Sequence, residues 1–194
     1  MLQRLQLLHQ QYRVRQELKK VDAQLARLSE LEPADAPQLV PGHRRGVVWR
    51  VSVPGQSDVF MCLPNYAGQR YFVVYVSGLA FYRAWLASGA GHYQSCPLQP
   101  DMPNDRKFKD AVSGFAQGFE NPVPIADVAP SMKGGELIVH FTDGITRSLW
   151  LLAHDVEAFP VLCSDLDSAS LLADKAGVAD PVRVRTLERE LERI

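Results

Sequence analysis

The residues best suited to chemistry lie in one short stretch, Asp143-Gly144-Ile145-Thr146-Arg147-Ser148. A strand-like apolar run, Glu136 to Phe141 (ELIVHF), leads into it, and a segment of helical spacing with Leu149, Trp150, Leu152 and Ala153 leads out. A strand that ends at glycine and turns straight into a helix aims backbone N–H groups and the positive helix end at one point, which makes an anion site. Gly144 permits the turn and lets a phosphate approach the main chain. Arg147 can fork onto phosphate oxygens through charge-assisted hydrogen bonds. Thr146 and Ser148 can add hydroxyl donors, and Ile145 completes the same turn. A plainer reading stays open here, because an Asp-Gly pair before a helix is a common turn and Asp143 could serve only as its cap.

Other chemistry-bearing residues form no second cluster. His140, three residues before Asp143, could assist, although a lone histidine on an apolar strand is as a rule a satisfied structural residue. His92 and Cys96 share a four-residue spacing with no further ligands near them and read as incidental. Cys62, Cys96 and Cys163 are scattered and form no CxxC pair, which argues against a disulfide framework and against zinc, and fits a reducing cytoplasm.

The elements that must position the turn can be read from spacing. Residues 1–31 read as one amphipathic helix with Leu7, Val14, Val21 and Leu28 at heptad intervals and Leu18 and Leu25 between them. Its stripe is expected to pack on the protein's own core, the alternative being a partner or dimer seam. Residues 32–46, with three prolines and two glycines, read as a linker. Residues 47–91 read as a strand-rich extension: VVWRVSV, DVFMCL and YFVVYV as strands, then a helix from Gly78 to Ser88 stopped by Gly89. Residues 92–177 hold the core. A helix from about Asp105, capped by Asn104 or Asp105, carries Phe108, Val112, Phe115 and Phe119. The strands VPIADVA and ELIVHF follow, joined by a turn over residues 131–135; then come the turn at Gly144, its helix, the strand PVLC, and a helix starting at Asp167 or Ser168 and stopped by Gly177. Residues 178–194 read as a charge-laced tail helix.

Composition bounds the function. With 194 residues, 46% hydrophobic and 22% charged, the chain can bury a sizeable core and is not disordered by composition. A net charge of -1 excludes a protein that coats DNA by bulk basicity, so any nucleic-acid surface must be local. The first residues are too charged for a signal peptide, and no apolar run is long enough to span a membrane. The expectation is a cytoplasmic protein, free or peripheral to the inner membrane.

The order helix (RKFKDAVSGFAQGF), strand (NPVPIADV), Gly-rich turn, strand (GGELIVHF), D-G-x-x-R, helix, and apolar strand opening with proline (HDVEAFPVLC) resembles the core of the ParB/sulfiredoxin superfamily. It covers residues 105–163, and Gly144 and Arg147 fall on the glycine and last arginine of that family's G-x-x-R turn, which binds nucleotide phosphates. The departures are informative. Ile145 stands where sulfiredoxins need a cysteine, so sulfinic acid reduction is not expected. ParB partition proteins carry two further charged residues where this chain has Ile145 and Thr146, and the stretch after Cys163 is too short for their helix-turn-helix domain. The chain's size, long first helix and added strand module resemble one branch, the plasmid fertility inhibition factors. The resemblance implies an α+β fold with a ParB/sulfiredoxin-like core, ATP binding and hydrolysis, DNA cleavage, and a block on DNA transfer through a type IV secretion system.

What that chemistry would ask of the residues can be stated. Arg147 would stabilise charge on a phosphoryl group; Asp143 would hold a divalent cation, Mg²⁺ or Mn²⁺, or orient water. Glu136 is a further catalytic candidate. Nonspecific DNA contacts would come from Arg106, Lys107 and Lys109 on the first core helix with Lys133 in the hairpin turn, a set that reads equally well as a solvated helix face; Arg44 and Arg45 form a second basic pair. Two other functions stay open: a non-catalytic inhibitor that binds a transfer or coupling protein, favoured by the loss of charged residues from the turn, and a nucleotide-sensing adaptor docking through its first helix.

Overall fold

The computed structural model describes residues 2–28, 36–64, 72–89, 95–178 and 185–186. Helix α1 (Leu2–Leu28) buries Val21 and packs Val14, Leu18 and Leu25 against the body. The apolar stripe therefore covers the protein's own core, but only from Val14 to Leu25. Leu7 and Leu28, in the same heptad series, are 40% and 44% exposed.

Two sheets share one core. The first joins β1 (Gln38–Val40), β2 (Val48–Val51), β3 (Val59–Cys62) and β5 (Val123–Pro124) in the order β1-β2-β3-β5. The second contains β4 (Phe72–Ser77), β6 (Ala126–Lys133), β7 (Glu136–Asp143), β8 (Ala158–Cys163) and β9 (Arg185–Thr186) in the order β7-β6-β8-β4-β9. Helices α2 (Gly78–Ala87), α3 (Phe108–Phe115), α4 (Ile145–Ala153) and α5 (Leu166–Ala176) pack around them. The architecture is α+β. Every residue of β8 is buried, as its unbroken apolar run requires. Its neighbours are β6, parallel to it, and β4, antiparallel along all six residues.

Several expectations change. Gln38–Val40, inside the stretch read as a linker, pairs antiparallel with β2; the prolines around it hide a strand whose hydrogen bonds come from a distant partner. The stretch read as a strand-rich extension contributes to both sheets, β2 and β3 to the first and β4 to the second, and its expected end at residue 91 lies outside the described residues. Of the segment read as a tail helix, residues 185–186 pair with β4, and the rest beyond Val178 lies outside the described residues. Helix α3 starts at Phe108 rather than Asp105, because Pro100 and Pro103 shape a 3-10 turn over Gln99–Asn104 and the Asp105 carboxylate accepts from Lys107 N–H. Val112 and Phe119 point outward, leaving Phe108, Ala111 and Phe115 on the inner face. Helix α5 is capped by Asp165, whose side chain accepts from Ser168 N–H at 2.7 Å, instead of by Asp167 or Ser168.

The chain changes sheets at Ile125. Residues 123–124 pair with β3, residues 126 onward pair with β7 and β8, and Ile125 between them is fully buried, its N–H donating to Cys62 C=O at 2.8 Å. Trp49 Nε1 donates to the Tyr75 hydroxyl at 2.7 Å, a second tie between the sheets. Burying a side chain such as Ile125 contributes roughly 1.5–3 kcal/mol. This crossing point lies directly beneath the Gly144 turn.

Candidate functional site

The end of β7 passes into α4 through Gly144, at φ +98 and ψ 13. A side chain here would be strained by the left-handed backbone, and it would also collide. A Cβ on Gly144 would stand 2.6 Å from both Cα and Cβ of Ala126 and 2.9 Å from Arg147 Nη2. Only glycine brings this turn down onto β6. Ser148 N–H donates back to Gly144 C=O at 3.0 Å and closes the first turn. No side chain caps α4 and no acidic residue lies in its first turn. The N–H groups of Ile145, Thr146 and Arg147 have no intrahelical acceptor, while Gly144 itself is buried.

Arg147 lies back across the turn. Its Nη2 donates to Asp143 Oδ2 at 2.8 Å and lies 3.5 Å from Ile125 C=O. The side chain is only 18% exposed, and Nε is sealed without a hydrogen-bond partner. For Asp143, partial burial pushes the carboxyl up. Arg147's hydrogen bond and charge, the Gly144 N–H and Lys107's charge outweigh it and hold the group below the ordinary aspartate range. Directly opposite on β6, Asp127 is the register partner of Asp143, beside a bulge at Asp127/Val128. Its carboxyl is pushed up by burial and by the Asp143 charge. The site thus holds two neighbouring carboxylates, one paired with arginine and one held closer to neutrality.

Buried Cys62 lies near the turn, its thiol donating to Pro122 C=O at 3.3 Å. Burial raises its pKa, and the nearby Arg45 and Arg147 pull it back. Arg147 thus acts on both Cys62 and Asp143, joined by Arg45 at the first and by Lys107 at the second. Cys163, at the end of β8, is pushed up to about 12 by burial and by Asp127 and Asp165, which makes it an inert thiol.

The remaining candidates divide. Ile145 and Thr146 are half-buried in the first turn, where Thr146 can meet a ligand. Ser148 is fully buried with its hydroxyl unpartnered, so the nucleotide-contact role expected for it does not match its position. Arg106, Lys107 and Lys109 are exposed around the start of α3, which packs on α4 through the Phe115–Trp150 and Phe108–His154 ring contacts. Lys133 and Glu136 are not brought to the turn. They face each other across the hairpin tip, at the other end of β7 from Asp143, roughly 23 Å away at about 3.3 Å per residue. Glu136 pairs instead with Arg83 at 2.5 Å, and Arg83 also binds Asp22 at 2.7 Å, so this carboxylate ties β7, α2 and α1 together. His140 is half-buried on β7. Cys96 is buried, its thiol donating to Pro97 C=O, and His92 lies outside the described residues. Among the described residues no three His, Cys, Asp or Glu side chains converge as a metal site.

Sequence reasoning missed Asp127. An aspartate between buried Ala126 and Val128 is a local signal, yet only the β6–β7 register shows which group it faces.

Residues 73–177 match the family model described as Plasmid Fertility inhibition factor. The chain is 50% identical over 190 residues to Protein osa of Shigella flexneri, covering 98% of this chain and 100% of that protein. Its fold is similar to the crystal structure of Oncogenic Suppression Activity Protein, described as a plasmid fertility inhibition factor and solved as a gold(I) cyanide derivative. That match has a TM-score of 0.89 at 48% identity and covers 96% of this chain and 97% of the other.

Proposed function

This chain belongs to the plasmid fertility inhibition factors, and on that premise we propose that it blocks conjugative DNA transfer through a type IV secretion system by binding and hydrolysing ATP at the Gly144–Arg147 turn and cutting DNA with the same domain. The observation that carries this reading is the start of α4, which no side chain of the described residues caps and across which Arg147 lies beside Asp143. Such a helix end suits phosphate oxygens.

In this reading the N–H groups of Ile145, Thr146 and Arg147 and the Thr146 hydroxyl hold the phosphates. Arg147, steadied by Asp143, turns its remaining guanidinium donors toward the transferring group. Asp143 suits a divalent ion, because Mg²⁺ is commonly held by one or two carboxylates together with substrate phosphates. When bound, Mg²⁺ or Mn²⁺ supplies charge neutralisation and a more acidic water. Asp127, whose carboxyl is pushed up by burial and by the Asp143 charge, would take the proton from an attacking water. Arg106, Lys107 and Lys109 grip DNA phosphates without sequence choice, giving salt-dependent binding. Lys133 and Glu136 have no part in this scheme.

Arg147→Ala should abolish ATP turnover and DNA cleavage, with thermal unfolding run alongside to show that the variant folds. If purified wild-type protein turns over no ATP and cuts no DNA with Mg²⁺ or Mn²⁺ present, the enzymatic reading is wrong.

One observation favours a second reading. Arg147 is largely buried and bound to Asp143, which suits a structural latch as well as a phosphate grip. The protein would then inhibit transfer by binding a transfer or coupling protein. An Arg147→Ala variant that folds, has lost nucleotide turnover, and still blocks plasmid transfer would select this reading over the first.

A further inference from the structure

Helix α1 carries a second apolar stripe that no other described residues cover. Leu5, Leu8 and Tyr12 are 59%, 54% and 61% exposed. At about 100° per residue they share an arc of roughly 60°, centred about 140° from the inner stripe of Val14, Leu18, Val21 and Leu25. No rotation of the helix covers both stripes with this body. The helix is held in place farther along, by Arg13–Asp101 at 2.8 Å and Asp22–Arg83 at 2.7 Å, while residues 4–13 are all exposed.

The charge on this projecting half has one sign. Arg4, Arg13 and Arg15 precede the first carboxylate of the chain, Glu17, and of these Arg13 is paired with Asp101. Three kinds of occupant can be compared against that. A second copy would set arginines against arginines in either direction, which is repulsive. A lipid surface calls for a broad apolar face and a polar face rich in lysine and arginine. Here the apolar arc is narrow and the polar positions are largely glutamine: Gln6, Gln10, Gln11 and Gln16. A helix from another protein needs a narrow seam with anchors at i, i+3 and i+7, which is the spacing of Leu5, Leu8 and Tyr12. Arg4 and Arg15 flank that seam on one side, where they would meet carboxylates.

We propose that the N-terminal half of α1 is a docking face for an acidic amphipathic helix of a partner protein. The proposal does not depend on the nucleotide reading, and either can fail without the other. It separates the chain into an anchored body and a projecting recognition arm about 20 Å long, from about 1.5 Å per residue.

The test uses the full chain and a labelled, monomeric helical peptide with leucines at i, i+3 and i+7 and glutamates beside them, followed by fluorescence anisotropy. Saturable binding is expected, at least about tenfold tighter than for the same peptide with lysines in place of glutamates. The double variant Leu8→Glu, Tyr12→Glu should lose at least about tenfold in affinity, the scale for removing central anchors. Its thermal midpoint should stay unchanged, because both side chains are exposed. Equal binding of the two peptides, or no loss in the double variant, overturns the proposal. So does a dimer in light scattering that the double variant dissolves, or flotation with phosphatidylglycerol vesicles that the double variant abolishes.

Discussion

Replacing Gly144 by alanine tests the geometry of the turn most directly, and the structure supplies its own control. Gly144 and Gly89 have nearly the same backbone angle, φ +98 and +101, but a Cβ at Gly89 meets nothing within 4 Å. Gly89→Ala should therefore lose only the conformational cost of a left-handed non-glycine residue, roughly 1–2 kcal/mol. Gly144→Ala carries the same cost plus a collision at 2.6 Å with the Ala126 backbone, which cannot swing aside as a side chain could. Overpacking of that kind adds about 1–3 kcal/mol. The total is about 2–5 kcal/mol, which for a chain of this size lowers the thermal midpoint by roughly 5–15 °C. Urea titration of both variants, with equal slopes, measures the two losses on one scale. Ala126→Gly in the Gly144→Ala background should recover only part of the difference, since it removes the collision with the residue 126 methyl and leaves the collision with the main chain. A Gly144→Ala variant no less stable than Gly89→Ala would refute the close packing of the turn on β6, and with it the placement of Asp127 opposite Asp143.

The paired carboxylates should respond to pH in opposite senses. Asp143, held low, contributes stability that is present above the unfolded aspartate value, about 3.9, and is lost as pH falls through its lower folded value. Asp127, held high, opposes folding when ionised, so its penalty grows as pH rises from the unfolded value through the folded one. Asp143→Asn should let the Asp127 pKa fall, read from its side-chain carbon shift by NMR; an unmoved titration would show that the two do not interact. Glu136→Gln should leave any ATP or DNA chemistry intact and cost no more than about 1 kcal/mol, because Glu136 and Arg83 are partly exposed and Arg83 keeps Asp22; a loss of activity in the folded variant would contradict its placement at the hairpin tip. Asp165→Ala should remove the α5 cap at about 1 kcal/mol, with the difference from wild type shrinking in acid as the carboxylate protonates, both followed by urea unfolding across pH.

What could be read from the chain alone was local. Apolar runs of strand length marked β2, β3, β4, β7 and β8, helical spacing marked α1, α2 and α4, and Asp-Gly before a helical run marked the turn at Gly144. These signals lie within a few residues of the atoms they govern, and the order of elements was enough to indicate the family. The rest depended on contacts between distant segments. Gln38–Val40 becomes a strand only because β2 lies beside it, and Asp127 becomes a site residue only because the β6–β7 register sets it against Asp143. Ser148 and Glu136 looked suited to chemistry by type and spacing. Burial in the core removes Ser148, and the length of β7 carries Glu136 to an ion pair with Arg83. On α1, the heptad pattern showed one stripe but not where the body beneath it stops. Only the packed structure shows that the inner stripe is covered from Val14 to Leu25 while Leu5, Leu8 and Tyr12 face away, because periodicity records which face is apolar and not what lies against it.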